Sequence, residues 1–418
     1  MKPRIRITHL ELTDFRGFDT LSIDFDESLT VFIGNNGSGK TTILEAIAGN
    51  LQYVKEQVQD KIQKVEQFKD SDIRIAPDID SFKTRLIFSE PSSTLDAIYY
   101  RRTKTSYGFI EINDNKEYND TVIEATLKSW YADNKSLEII AYYPCQSISV
   151  ENGQTVNFNV FNVENAYDEA LDGRFNFSML NKWLIWQYSL RQERGANVFF
   201  DRIVEVIIGE KGILNDDAER RFNDLRVTYA DKPEGALLFV KDDAPLLAHQ
   251  LSSGEKMLFA LVADIGRRLV TANPHSKNPL KEGSGIVLID EIDLHLHPNW
   301  QQKVVGQLQA IFPNVQFVVT THSAEVLKGL DRKHLRIIKN GQLLSVAPYI
   351  KGRDTNSILS DAFELPERDT ETEQKLSTFY TLVQQNKEAA RKILDSLKAD
   401  WGEMDEEIIR AESYFEIF

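Results

Sequence analysis

Cysteine is almost missing from this chain of 418 residues: Cys145 is the single one, so no internal disulfide can form. No Cys/His ligand set surrounds it, and a reducing, cytoplasmic compartment is expected. Long apolar runs are missing too. No stretch of about 18 apolar residues occurs, which argues against a membrane-spanning helix. No apolar run follows the start Met1-Lys2-Pro3-Arg4-Ile5-Arg6, so no signal peptide is expected. Proline and glycine are sparse, at 12 and 21 residues, which argues against a fibrous or low-complexity chain. Positive charge is in the minority: 49 Lys and Arg stand against 64 Asp and Glu, a formal charge of -15. That balance argues against a surface-wide nucleic-acid footprint and leaves room for a local basic groove.

What is present is globular material, 42% hydrophobic and 27% charged, long enough to bury a large core in two or three lobes. Residues 5–12 alternate as a strand, and residues 21–25 and 29–33 read as two more. A glycine-rich loop follows, then a helix from Lys40 to about Asn50. A second, amphipathic helix is expected over residues 54–68, with Val54, Val58, Ile62 and Val65 on one face. Residues 85–88, 97–101 and 137–143 suggest further strands, and residues 167–222 are mostly helical. There Leu180, Trp183, Leu184 and Gln187 begin one face, which Phe200, Ile203, Val204 and Ile207 continue. Residues 225–229 and 236–241 form a hairpin across Lys232-Pro233-Glu234-Gly235. Residues 285–289 and 316–320 are β-branched without alternation, as strands covered on both faces are. Beyond Lys351 three charged helices are marked by Leu376, Phe379, Tyr380 and Val383, by Ala390, Ile393, Leu394 and Leu397, and by Ile408, Ala411 and Phe415.

Four segments carry chemistry. Gly34-Asn35-Asn36-Gly37-Ser38-Gly39-Lys40-Thr41-Thr42 matches the Gly-x-x-x-x-Gly-Lys-Ser/Thr phosphate loop and lies between a strand and a helix, as that motif requires. Backbone N–H groups and the helix N-terminus would surround phosphate oxygens, and glycine removes side chains that would block the approach. Lys40 would set a point charge on the β- and γ-phosphates of ATP, and the Thr41 hydroxyl would ligate Mg2+. Gly285-Ile286-Val287-Leu288-Ile289-Asp290-Glu291 is a buried strand that delivers two carboxylates at its C-terminal end. Asp290 would hold Mg2+ and Glu291 would orient or deprotonate the attacking water. A strand ending in Asp-Glu is by itself often only a solvated strand end; the phosphate loop decides for the functional reading.

Leu251-Ser252-Ser253-Gly254-Glu255-Lys256 precedes an apolar-periodic helix, and Ser252, Ser253, Gly254 and Glu255 form either a second anion site or simply a capping box. Thr320-Thr321-His322-Ser323 closes another strand, where His322 could reach a γ-phosphate. His295 and His297, at i, i+2 on a turn, fit packing or interface roles better than a metal pair. Gln146, in Tyr142-Tyr143-Pro144-Cys145-Gln146-Ser147, is a candidate contact for Mg2+ and the attacking water, with an ordinary polar loop residue as the competing reading.

Taken together these segments resemble the ABC ATPase class, whose signature Leu-Ser-Gly-Gly-Gln is matched by Leu-Ser-Ser-Gly-Glu at residues 251–255. The resemblance implies an α/β fold: an ABC-type ATPase head with a mixed β-sheet lobe, a phosphate-loop core, a helical insertion and a C-terminal helical tail. Expected boundaries are 1–150 and 241–350 for the two halves of the head, 151–240 for the insertion and 351–418 for the tail. It further implies that Glu291 and His322 are catalytic, that Asp293 meets a partner subunit, and that each signature faces the phosphates of a second copy. ATP is then sandwiched in a symmetric dimer. The start Ile7-Thr8-His9-Leu10-Glu11-Leu12-Thr13-Asp14-Phe15-Arg16-Gly17-Phe18 resembles RecF-like, OLD-like and SMC-like ATPases, and no heptad arm separates the motif halves. The tail, from Gly352-Arg353-Asp354-Thr355-Asn356-Ser357-Ile358-Leu359 onward, resembles the PtuA ATPase subunits of Septu and retron defence cassettes. In that family higher oligomers form and a separate HNH nuclease subunit acts on nucleic acid. No intrinsic nuclease and no membrane partner are expected. The alternative is a RecF-like repair ATPase that loads on DNA without a nuclease. A transporter ATPase is a third reading, against which the Phe15-Arg16-Gly17-Phe18 start argues.

Overall fold

Alternating burial along residues 6–24 folds the start of the chain into an antiparallel pair, β1 (Arg6–Phe15) and β2 (Phe18–Asp24), with Leu10 opposite Ile23 and Leu12 opposite Leu21. Arg16 takes a left-handed φ of 49° in the turn between them. The structure is a computed structural model that describes residues 5–58, 68–90, 93–102, 105–112, 137–145, 163–171, 175–215, 221–230, 234–344, 349–350, 370–402 and 405–417. β3 (Leu29–Ile33) is buried at every position and leads through the glycine loop into α1 (Lys40–Val58). This helix runs on without a break where a second helix was expected to begin at Val54; the rest of that expectation, residues 59–67, lies outside the described residues. Gly49 sits inside α1 because a Cβ there would lie 2.3 Å from the Phe68 ring.

β4 (Ser81–Glu90), β5 (Ser93–Arg102) and β6 (Thr105–Ile112) add to β1 and β2 in a five-stranded antiparallel sheet of order β2-β1-β4-β5-β6. β6 was not foreseen; Gly108 interrupts its apolar pattern. Next come β7 (Ile139–Tyr143), then α2 (Phe177–Arg194) and α3 (Val198–Ile208), each N-capped by an asparagine side chain, Asn176 and Asn197. β8 (Phe222–Thr228) and β9 (Ala236–Lys241) form the expected hairpin, and β10 (Ala244–Leu247) completes a three-stranded sheet. α4 (Ser253–Ala272) is buried on nearly every face, with Glu255, Asp264, Arg267 and Arg268 buried among its apolar side chains.

The second half continues through β11 (Gly285–Ile289), α5 (Pro298–Ile311), β12 (Val315–Thr320), β13 (Leu335–Lys339) and β14 (Gln342–Leu343). A six-stranded sheet of order β14-β13-β3-β12-β11-β7 results, parallel except at the β14 edge. Phe15, Phe32, Ile43, Ile47 and Leu288 belong to one buried cluster that joins the antiparallel sheet, α1 and the parallel sheet. Gln316, fully buried, ties the two sheets: its amide accepts from the Ile7 N–H at 2.8 Å and donates to the Ile7 carbonyl at 2.8 Å.

Residues 1–353 form one compact unit and residues 354–418 another. Within the second, α6 (Thr370–Val383), α7 (Lys387–Trp401) and α8 (Glu406–Ile417) pack around Phe379, Leu394, Ile408 and Ala411, the periodic positions expected. Among the described residues no helix is long and apolar enough to cross a membrane.

Candidate functional site

The parallel sheet decides where the motifs meet. β3, β12, β11 and β7 are consecutive neighbours pointing the same way, so their C-terminal ends open on one edge. That edge receives the glycine loop after β3, Thr321-His322 after β12, Asp290-Glu291 after β11 and Pro144-Cys145 after β7. The C-terminal rim of an open parallel sheet is where such folds bind ligands.

Local backbone demands explain the glycines. Gly34 has φ 152°, and a Cβ there would lie 2.2 Å from the Ile338 carbonyl oxygen; Gly39 has φ 102°, and its Cβ would strike the Phe18 ring at 2.3 Å. Asn35, Asn36 and Gly37 face solvent, Ser38 and Thr42 are half-buried, and Thr41 is exposed at the start of α1. The Ser38 hydroxyl is buried without a hydrogen-bond partner among the described residues, so the loop holds a donor with no internal acceptor. Lys40 is buried to 5% exposure and donates to the carbonyls of Gly34 at 2.8 Å and Asn35 at 3.1 Å. Burial pushes its ammonium below the ordinary lysine value, while Asp290, Glu291 and Asp293 pull it back up.

Asp290 is bridged from both sides: the Thr41 hydroxyl donates to Oδ2 at 2.9 Å and the Thr320 hydroxyl to Oδ1 at 2.6 Å. A threonine hydroxyl beside a carboxylate is the hard-oxygen pair that suits Mg2+, with water and phosphate oxygens completing the shell. Thr320 also receives the Glu291 backbone N–H at 2.8 Å, holding Glu291 at a left-handed φ of 51°. The Glu291 carboxylate accepts from the Cys145 thiol at 2.9 Å. Burial first, then that bond and the neighbouring carboxylates, push the thiol up to about 12, so it stays protonated as a donor. The hydroxyl of Tyr142 is buried without a partner among the described residues.

Asp293 takes the Thr321 hydroxyl at 2.5 Å and the His322 backbone N–H at 3.3 Å, which seats the histidine loop against the segment after β11. Burial and then the Lys40 charge push the His322 imidazole below its ordinary value, against the pull of Asp293, Glu291 and Asp290. Its surroundings thus favour the neutral imidazole.

The 252–255 segment stands apart from this cluster. Ser252 caps α4: its hydroxyl accepts from Glu255 N–H at 3.3 Å while Glu255 Oε2 accepts from Ser252 N–H at 2.8 Å. Glu255 is buried and ion-paired with Lys241, so its carboxylate is committed inside the chain. Burial opposes its charge, and the Lys241 and Ser252 donors outweigh that and hold it below the ordinary glutamate value. Ser252 and Ser253 face solvent, and Gly254 packs so close to the His295 carbonyl that a Cβ would lie 2.6 Å from its oxygen. No hydrogen bond joins this segment to the phosphate loop among the described residues. His297 is exposed; it accepts from Asn299 N–H at 3.4 Å and caps α5. Gln146 lies outside the described residues. Sequence reasoning missed Cys145 and the Thr320 bridge, since both depend on which strands are neighbours.

A buried network backs the rim. Asp264 on α4 receives Arg267 at 2.8 Å, Arg268 at 2.8 Å and the Tyr143 hydroxyl at 2.8 Å. Burial alone would raise this carboxyl, and the two guanidinia more than reverse that and hold it well below the usual carboxylate range.

A glycine-cradled lysine beside a hydroxyl–carboxylate pair, on the rim of a parallel sheet, belongs to the phosphate-loop class of nucleotide-binding heads. The chain belongs to the RecF/RecN/SMC N-terminal domain family, whose pattern matches residues 6–344. It is 29% identical to the protein named "Retron Ec83 probable ATPase" from Escherichia coli, over 97% of this chain and 86% of that one. It is 29% identical to "Retron Vc95 probable ATPase" from Vibrio cholerae serotype O1 biovar El Tor, over 80% of this chain and 74% of that protein. With "Septu protein PtuA" from Bacillus thuringiensis it shares 23% identity over 86% of this chain and 85% of the relative.

Proposed function

We propose that this chain is the ATP-binding and hydrolysing subunit of a prokaryotic antiphage defence complex, working with Mg2+ at a site shared between two copies. The observation that carries the ATPase reading is the double bridge on Asp290, from Thr41 and from Thr320, beside the buried Lys40. Mg2+, when bound, supplies charge neutralisation at the phosphates. Lys40 adds a fixed positive charge in a poorly hydrated position, where it acts strongly. The Ser38 hydroxyl and the loop N–H groups offer donors to phosphate oxygens. Glu291 holds and accepts a proton from the attacking water, and neutral His322 donates or accepts a hydrogen bond without adding charge.

The exposed Ser252 and Ser253 at the head of α4 support a role for this helix end toward the phosphates of a second copy, closing a symmetric dimer around ATP. Retron and Septu relatives matched over most of this chain support the defence setting. In this reading the ATP state gates a separate HNH nuclease subunit that acts on nucleic acid, and this chain has no nuclease activity of its own. The test is co-expression with the product of the adjacent gene, followed by co-purification and nuclease assays across ATP concentrations. DNA cleavage by the purified chain alone with Mg2+ would overturn the division of labour.

A further inference from the structure

Away from the nucleotide rim, α2, α3 and the C-terminal end of α4 enclose a cavity of about 770 Å3. Its apolar lining includes Trp183, Trp186, Leu190, Val198 and Phe199. Trp183 is buried, whereas Trp186 is 40% and Val198 55% exposed, so the apolar wall is open to solvent on one side. Three cations also line it, Arg194, Arg202 and Lys277, and among the described residues no Asp or Glu does.

The cavity rim carries the minority sign of a chain whose formal charge is -15. In a chain with 64 acids and 49 bases, cations are expected to find carboxylates. Here Arg191 takes up Asp201, the acid in the first turn of α3, at 2.7 Å. Arg194, Arg202 and Lys277 have no ion pair or side-chain hydrogen bond among the described residues, and the Nε of Arg202 is buried without a partner. A buried guanidinium donor left unsatisfied beside an apolar cavity calls for an anionic acceptor inside it. Two amides also line the cavity, and both are committed inside the chain: Asn197 caps α3 and donates to the Gln187 amide oxygen at 2.7 Å. Indoles are flat, and every nucleobase has a π-face to lay on one. All named lining residues lie on helices or their connections, so among the described residues no strand edge is available to pair with an extended peptide.

We propose that this cavity binds a nucleoside phosphate, with the base against the tryptophans and the phosphate on Arg194, Arg202 and Lys277. The volume suits one nucleotide unit, either free or as part of a single strand. This site is separate from the phosphate loop and independent of the ATPase reading.

The experiment titrates the full chain, without ATP or Mg2+, with thymidine 5′-monophosphate in one arm and a fluorescein-labelled 12-mer of deoxythymidine in the other. Lys40→Ala is run in parallel to exclude the phosphate loop. Saturable binding retained in Lys40→Ala is expected. Arg194→Glu with Lys277→Glu, both at exposed positions, should weaken it by at least about tenfold and leave basal ATPase unchanged. For the 12-mer, the salt dependence of log Kd should fall by about 0.7 per cation removed. Trp186→Ala should weaken binding without changing that slope. Binding in the monophosphate arm assigns a free nucleotide; binding confined to the 12-mer assigns a strand. Affinity weaker than about 1 mM in both arms would overturn the proposal. So would affinity indifferent to the charge reversal, or displacement of the 12-mer by a poly-glutamate peptide but not by unlabelled oligonucleotide.

Discussion

Thr320 donates its hydroxyl to Asp290 Oδ1 at 2.6 Å and, with the same oxygen, accepts the Glu291 backbone N–H at 2.8 Å. One side chain on β12 thus sets the positions of both acids that follow β11. Thr320→Val keeps the shape and removes both bonds. ATP turnover should fall by about 30-fold, since the two bonds at about 1 kcal/mol each contribute about 2 kcal/mol together. Thr320→Ser should retain most of the activity. A Val variant with parental kcat would remove Thr320 from the site.

Glu291→Gln keeps the bulk of the side chain and removes the base. ATP binding should persist while hydrolysis drops by about 100-fold or more. ATP-bound dimers should accumulate in light scattering. Hydrolysis at the parental rate would show that Glu291 is not the base.

Cys145 offers a positioning test, because its thiol is the hydrogen-bond donor on the Glu291 carboxylate. Cys145→Ala should lower kcat several-fold with little change in KM, and Cys145→Ser, which keeps a donor, should restore it. Because burial and Glu291 push this thiol up to about 12, its thiolate is scarce at pH 8. Alkylation of this single cysteine by iodoacetamide should therefore run at least about tenfold slower than that of an unperturbed thiol. It should speed up as pH rises toward 10.

Asp264 ties α4 to β7 through Arg267, Arg268 and Tyr143. Asp264→Asn leaves two buried guanidinia without a counter-charge and should destabilise the fold by about 3 kcal/mol or more in denaturant titrations. The Asp264 carboxyl sits below its unfolded value, so its contribution is present above the ordinary aspartate range and is lost as pH falls through the folded value. The stability gap between parent and variant should be flat from pH 5 to 8 and narrow below about pH 4. A gap that widened on acidification would contradict this assignment.

Much of the site is legible from local sequence because its constraints are local. The loop from Gly34 to Thr42 needs glycines at strained turns and a lysine at the helix start, and the strand ending at Ile289 needs apolar residues on both faces. Both requirements act within a few residues, so the order of residue types carries them. The same holds for α6, α7 and α8, whose apolar spacing alone marks Phe379, Leu394 and Ile408 as core. Where pattern failed, a distant group intervened. α1 runs on past Val54, and its Gly49 answers to Phe68, which packs onto it from outside the helix.

By itself, then, the sequence determined a phosphate loop, two acids at a strand end and a capped signature helix. Their types follow from backbone strain, burial and capping within single segments. Only the tertiary structure decided that β7, β11, β12 and β3 stand side by side, and with that order came Thr320 on Asp290 and Cys145 on Glu291. It also turned Glu255 inward onto Lys241 and gathered Arg194, Arg202 and Lys277, unpaired among the described residues, around one cavity. The reason is physical: hydrogen bonds and ion pairs act over about 3 Å, and the strand order that brings such groups within that range is a property of packing between segments.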